Sequence, residues 1–318
     1  MSAYLGSTPT NILNVLFRNK GATALYRGST LLQSFGASSP PLQPKLQADF
    51  ITGTYKANGE AKTFADLFTF NRAGKAWLVK DVGLVEYAID EPRFDDGLLI
   101  ERESTNLQMA NALGGGDAMS VSEFIDDATF GALVPRVTNV RPHPSNPIAT
   151  RQSYHFLLGT PYEPTLSAYM RTDAGTEDLY LGTTSGKYSR TSSMGYNPVT
   201  GVIEHNPNNK AVAHRYGDWS FLGVECLIEN DYFLHVPAAI VAEDYDSLYI
   251  ALRQSEYGEL SSYILTDASP VTRPSDYLLA NTTGTTVTGD WDSTLTLSIV
   301  NGQLTHSGYG RIRSLEIK

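Results

Sequence analysis

TLSAYMR, residues 165–171, is the stretch whose reading decides the fold class. Leu166, Ala168 and Met170 alternate along it with Ser167, Tyr169 and Arg171. Side chains two apart share one face of a strand, so this period predicts a β-strand with an apolar face on a core and a polar face toward water. Residues 179–183, 220–228, 232–236, 248–253 and 294–300 carry similar runs. Clusters of Gly, Pro, Asn and Asp separate them at 142–147, 173–175, 184–186 and 206–209. Such spacing belongs to two packed antiparallel sheets, a sandwich or jelly roll. Composition agrees: 18 Tyr, 27 Gly and 16 Pro accompany a charged fraction of 18%, with no long Ala/Leu/Glu/Lys stretch to argue for helices. The chain reads as all-β.

Upstream, residues 12–17, 23–26 and 30–35 are strand-like, and Asn19-Lys20-Gly21 is a hairpin turn signal, so a small N-terminal meander is expected. Residues 36–48, GASSPPLQPKLQA, read as a linker or extended arm, because Pro41 and Pro44 favour polyproline-like backbone and cannot donate to a ladder. Residues 61–70 suit a short helix or a strand. The expected division is an N-terminal β module with its linker at 1–48, a connecting β region at 49–110, and a sandwich at 111–318 after the break at Gly114-Gly115-Gly116.

Several functional classes are set aside by composition. A net charge of −10 without long like-charge runs gives no sequence-wide attraction to nucleic acid or anionic membrane. The start, MSAYLGSTPTNIL, has no basic region leading into an apolar one, and nowhere do about 18 apolar residues run together, so synthesis in the cytoplasm without membrane insertion is expected. One cysteine, Cys226, excludes an intrachain disulfide and reads as a core thiol. The six His are scattered, and HExxH, GxSxG and P-loop patterns are absent, so neither cofactor, metal nor catalysis is expected. Carboxylates at Asp126-Asp127, Glu243-Asp244 and Asp246 leave a glycosidase pair open, since that pair is defined by a spatial separation of about 5–10 Å.

FDDGLLIERESTNL, residues 94–107, poses a separate problem. Leu98, Leu99 and Ile100 read as a core strand, yet Glu101-Arg102-Glu103 and Asn106 follow at once. These polar residues form either a binding site or an arrangement of ion pairs and caps that fixes a junction; the second is the expected reading. Arg93 with Asp95, and Arg273 with Asp276, are the expected junction pairs.

PRFDDGLLIERESTNL resembles the PRFD, GLLIE and TNL segment of structural proteins of tailed bacteriophages: tail fibres, spikes and other appendage or decoration proteins. FNRAGKAWLVKDVGLVEYAIDE before it, TLSAYMRTDAG, LSSYILTDASPVTRPSDYL and the terminal YGRIRSLEIK are similar to further pieces of that pattern, in order across residues 70–318. The chain departs from it at Ile264-Leu265, where the family has Ile-Pro, and at Pro274-Ser275, where it has Ala-Ala. Residues 1–48 lie outside the resemblance, although LYRGSTLL is similar to short strands of small phage tail modules.

The resemblance implies a jelly-roll sandwich of carbohydrate-binding-module or lectin type on a virion, attached through the N-terminal module and commonly trimeric. Other virion proteins and a host surface glycan are the implied partners, and the implied role is a non-enzymatic tail-fibre or appendage subunit. A capsid decoration, collar or adaptor protein is the second reading and a polysaccharide depolymerase the third. Sugar faces pack on aromatic rings beside short polar groups, so the candidate glycan-binding residues are Trp219, Tyr216, Asp218, Trp291, Tyr188 and Tyr196. The competing reading places Trp219 and Trp291 in a core or interface.

Overall fold

Antiparallel strands dominate the computed structural model, which describes residues 2–5, 13–17, 22–27, 30–34, 45–81, 83–108, 120–134, 136–142, 152–155, 164–173, 175, 178–184, 193–206, 210–225, 236–241, 247–267 and 269–318. The N-terminal meander is present and has one strand more than expected: β1 (Ser2–Leu5), β2 (Leu13–Phe17), β3 (Ala22–Arg27) and β4 (Thr30–Ser34) pair in that order. The turn at 19–21, most of the proposed linker, the triple glycine, Cys226 and the run 232–235 lie outside the described residues.

Two units divide the chain, one of Met1–Thr69, Leu279–Ser307 and Ile312–Lys318, the other of Phe70–Leu278 and Gly308–Arg311. In the first, β5 (Leu46–Asp49), β6 (Thr54–Ala57) and β7 (Glu60–Lys62) form a meander. Its second turn is Asn58-Gly59, with φ of 49° and 85°, the left-handed pair that a two-residue hairpin loop requires. Residues 61–70 then resolve into both options. Thr63 and Asp66 cap one helical turn, α1 (Phe64–Leu67), by exchanging side-chain and backbone hydrogen bonds, and β8 (Thr69–Asn71) follows.

The second unit opens with a hairpin, β9 (Ala76–Lys80) and β10 (Gly83–Tyr87), then β11 (Leu98–Ile100) and β12 (Ser104–Asn106). Eleven strands follow: β13 (Ser120–Asp126), β14 (Arg136–Pro142), β15 (Gln152–His155), β16 (Pro164–Thr172), β17 (Leu179–Thr184), β18 (Ser193–Asn197), β19 (Val202–His205), β20 (Val212–Tyr216), β21 (Trp219–Glu225), β22 (Val236–Val241) and β23 (Leu248–Tyr257). They build a six-stranded sheet, β13-β14-β23-β16-β21-β20, and a five-stranded sheet, β15-β22-β17-β18-β19. Pairing is nested: β14 takes β23, β15 takes β22, β16 takes β21 and β17 takes β18, as in one long antiparallel ribbon folded over. Leu166, Ala168, Met170, Leu222 and Ile250 of one sheet meet Leu179, Leu181, Met194 and Tyr196 of the other in a shared core.

Tyr169, expected on a solvated face, is buried as well. The six-stranded sheet is a middle layer, because Trp77 and Leu84 of the β9–β10 hairpin, together with Ile264, cover its outer face around Phe130, Tyr169 and Trp219. Gly83 permits this contact: its φ is +101°, and a Cβ there would stand 2.9 Å from the Phe130 backbone. Burial on both faces explains why β23 carries Arg253, Gln254, Ser255 and Glu256 inside the protein, with a register shift opposite Ser167 to Tyr169 and Leu252 in the left-handed region at φ +47°.

After β24 (Val271–Arg273), which pairs with β12, and β25 (Tyr277–Asn281), the chain returns to the first unit with β26 (Val287–Trp291), β27 (Leu295–Val300), β28 (Gln303–Gly308) and β29 (Gly310–Ile317). β29 lies against β5, with Leu315 opposite Ala48 and Ile317 opposite Leu46. The sandwich is therefore shorter than the expected 111–318. The C-terminal strands belong with residues 46–69, where β29 pairs with β5, more than two hundred residues away in sequence.

Tyr169→Ala and Met170→Ala test the double-sided burial. Each removes a packed side chain and is expected to lower the stability by about 3 kcal/mol, read from denaturation midpoints. A sheet with one solvated face would lose stability in Met170→Ala alone.

Candidate functional site

Glu101 leaves the end of β11 into the interior, where three arginines and a second carboxylate converge. Its Oε2 lies 2.6 Å from Nη2 of Arg93 and 2.9 Å from Nη1 of Arg273. Asp276 takes Arg93 at 2.7 Å and Arg72 at 3.3 Å through its other oxygen. All five side chains are buried. Ser262 donates to Glu101 from its backbone N–H and from its hydroxyl, each at 2.6 Å, and its hydroxyl accepts from Arg93. The backbone closes the same ring: Glu101 N–H donates to Asp276 Oδ2, and Asp276 N–H to the Glu101 carbonyl. Carbonyls of Gly74, Ala88 and Glu91 receive the remaining Arg72 donors at 2.7–3.1 Å.

Electrostatics follow from this geometry. Burial by itself would raise the Glu101 pKa, but Arg273, Arg93 and the Ser262 donors hold it at about 2. Burial lowers the Arg72 pKa, whereas for Arg93 the two carboxylates more than reverse the burial effect and raise it. Glu256 behaves in the opposite sense to Glu101. It is buried, accepts from Ser104 Oγ, Ser261 N–H and Ser261 Oγ at 2.6–2.7 Å, and meets no cation among the described residues. Burial raises its pKa, and the Glu101 charge adds to the rise.

Of Glu101-Arg102-Glu103, only Glu101 turns inward; Arg102 and Glu103 are exposed. Arg102 is exposed, paired with Glu259 at 3.0 Å, with its guanidinium 5.3 Å from the centre of the Tyr309 ring. Asn106 is fully buried and uses its whole amide: Nδ2 donates to the carbonyls of Ile264 and Arg253, and Oδ1 accepts from the N–H groups of Gln108 and Ser255. The expected partners are exchanged. Arg93 takes Asp276 and Glu101 rather than Asp95, which sits in a turn and binds Arg311 at 3.0 Å; Arg273 takes Glu101 rather than Asp276. The turn at 95–97 carries Asp95 away from Arg93, and the strand pairing of Ser104 with Arg273 brings Glu101 within reach of Arg273.

Four of the six candidate glycan residues have a use inside the protein or lie outside the described residues. Trp219 is 2% exposed and Tyr196 3% exposed, so neither ring offers a face to a sugar. Of the two readings of Trp219 the core one holds and the glycan-binding one does not: its turn places it under Phe130, centroids 5.2 Å apart. Tyr216 stacks on Phe130, donates its hydroxyl to the Lys80 carbonyl and accepts from Gly83 N–H. Tyr188 lies outside the described residues. Asp218 is exposed beside Trp219, and Trp291 is half-buried in the first unit, where its strand partner is Ile312.

What remains accessible next to Trp219 is Arg171. Its guanidinium lies 5.1 Å from the Trp219 ring centre and 3.9 Å from that of Tyr249, with Asp127 at 3.4 Å. The alternation in TLSAYMR already placed Arg171 on the outer face; nothing local pointed to Tyr249.

Glu101→Gln leaves Arg93 and Arg273 short of a negative charge and is expected to cost about 3–5 kcal/mol. Glu256→Gln is expected to be tolerated. The folded pKa of Glu101 lies below its ordinary value, so its contribution is complete above about pH 5 and is lost as the pH falls toward 2. For Glu256 the folded pKa is raised, so stability is lost as the pH rises through it, and Glu256→Gln gains on the wild type at about pH 8 but not at about pH 4. Melting temperatures across that range check both signs. No protein-family model and no curated protein matches the chain, so these residues and their geometry carry the functional reading.

Proposed function

We propose that the protein is a virion structural protein of a tailed bacteriophage, serving as a tail-fibre or similar appendage subunit. In this reading the N-terminal strands attach it to other virion proteins and the sandwich is presented to the host surface, where repeated weak glycan contacts add by avidity. One observation carries the proposal. Arg93, Glu101, Arg273 and Asp276, charged residues of the segments on which the phage resemblance rests, converge on one buried network although they are spread over nearly two hundred positions. The motif then has a physical reason to occur as a set, since each charge is tolerable inside only with the others in place.

Nested pairing of β14 to β18 with β21 to β23 supports the jelly-roll part of the reading, because a jelly roll is a long antiparallel ribbon rolled into two sheets. The locked network carboxylates suit a scaffold better than acid–base chemistry, as Glu101 stays ionised far below neutral pH. A second reading, a capsid decoration, collar or adaptor protein, is favoured by the burial of Trp219 and Tyr196, which removes two sugar platforms.

Gold-labelled antibodies against the chain, applied to purified virions of the phage that encodes it, test the proposal. Label at the tail tip or fibres is the expected result. Label over the capsid or collar moves the assignment to the second reading, and virions without label overturn both.

A further inference from the structure

Away from the sandwich, the first unit contains a cleft of about 570 Å³ that the adhesion reading does not use. Two segments far apart in sequence line it: the Asn58 turn with α1, and the end of β25 with the turn into β28. Its volume lies within the roughly 300–1,000 Å³ of small-molecule sites. The lining is polar without a dominant charge. Lys45 and Asp66 are its charged residues; the Asp66 carboxylate is occupied by Thr63, and Lys45 Nζ donates to the Thr283 carbonyl.

Amides supply the remaining chemistry. Gln303 Nε2 donates to Asn281 Oδ1 at 3.2 Å. That bond leaves Gln303 Oε1 and Asn281 Nδ2 as an acceptor and a donor side by side, without a partner among the described residues, and Asn58 adds a third amide. Neighbouring donors and acceptors match vicinal hydroxyls, each of which can both give and take a hydrogen bond. A phosphate or carboxylate ligand would meet a single lysine. Ala65, exposed on α1, and Ala57 add small apolar surface for the C–H face of a ring.

We propose that this cleft binds a neutral saccharide of one to a few rings. The inference rests on the adhesion reading for its biological meaning and moves the sugar contact from the sandwich to the first unit.

The full chain is to be applied to an array of neutral and acidic bacterial oligosaccharides, and the strongest hit titrated by calorimetry. The expected result is a neutral hit, weakened about threefold to tenfold by Asn281→Ala or Gln303→Ala and abolished by Ala65→Trp, which fills the cleft. Unchanged melting temperatures show that these surface variants fold. Binding that survives all three variants overturns the cleft while leaving glycan adhesion intact, with Arg171→Ala then testing the sandwich. Acidic hits alone, or no hit, also overturn it; virion labelling decides the wider proposal independently.

Discussion

The Glu101 carboxylate, held between the guanidinium groups of Arg93 and Arg273, is the contact on which much of the second unit depends. An ion removed from water is costly unless its partners are already arranged around it. Here the partners come from five stretches of chain, at Arg72, Arg93, Glu101, Ser262 and Arg273 to Asp276, so the charges can be neutralised only in one arrangement. Such a network discriminates among registers. A slip of one residue between β12 and β24 would exchange the inward and outward positions around Glu101 and Arg273, exposing pairs now satisfied and burying others without partners.

The same logic runs along β23. A strand in a middle layer has no solvated face, and the buried Gln254 and Glu256 side chains and the Ser255 backbone are tolerated because neighbouring segments supply hydrogen bonds: Gln254 accepts from Ile264 N–H, Ser255 N–H donates to Asn106, and Glu256 accepts from Ser104 and Ser261. Apolar burial builds the sandwich core, while polar satisfaction decides which segments lie on its outer face. Both are needed, since Trp77 and Leu84 would otherwise cover that face without any preference of position.

This division has a functional consequence. The motif residues are occupied with one another and present nothing to a ligand, so a resemblance carried by them speaks about architecture. Under the proposed adhesion role, recognition would fall to residues outside the buried network, such as Arg171 and Tyr249 at the sandwich or the amides of the first-unit cleft.

Local pattern was enough for the all-β class, for strands such as β16, β17, β21 and β23, and for the N-terminal meander, because period-two alternation and turn residues act over a few positions. It also contained the hairpin turns Asn58-Gly59 and Asn301-Gly302, whose left-handed φ values require such residues. Sequence order alone suggested that Glu101 and Asn106 close a strand, but it paired Arg93 and Arg273 with the nearest carboxylates. It likewise assigned residues after 279 to the sandwich and left Trp219 between core and surface. Only tertiary structure decided these points: β29 against β5, Glu101 beside Arg273, and Trp219 beneath Phe130. The reason is physical. Composition reports that a side chain prefers burial or a counter-charge, whereas which layer covers it and which charge reaches it depend on strand pairings hundreds of residues apart, formed against loop-closure entropy that no local window contains.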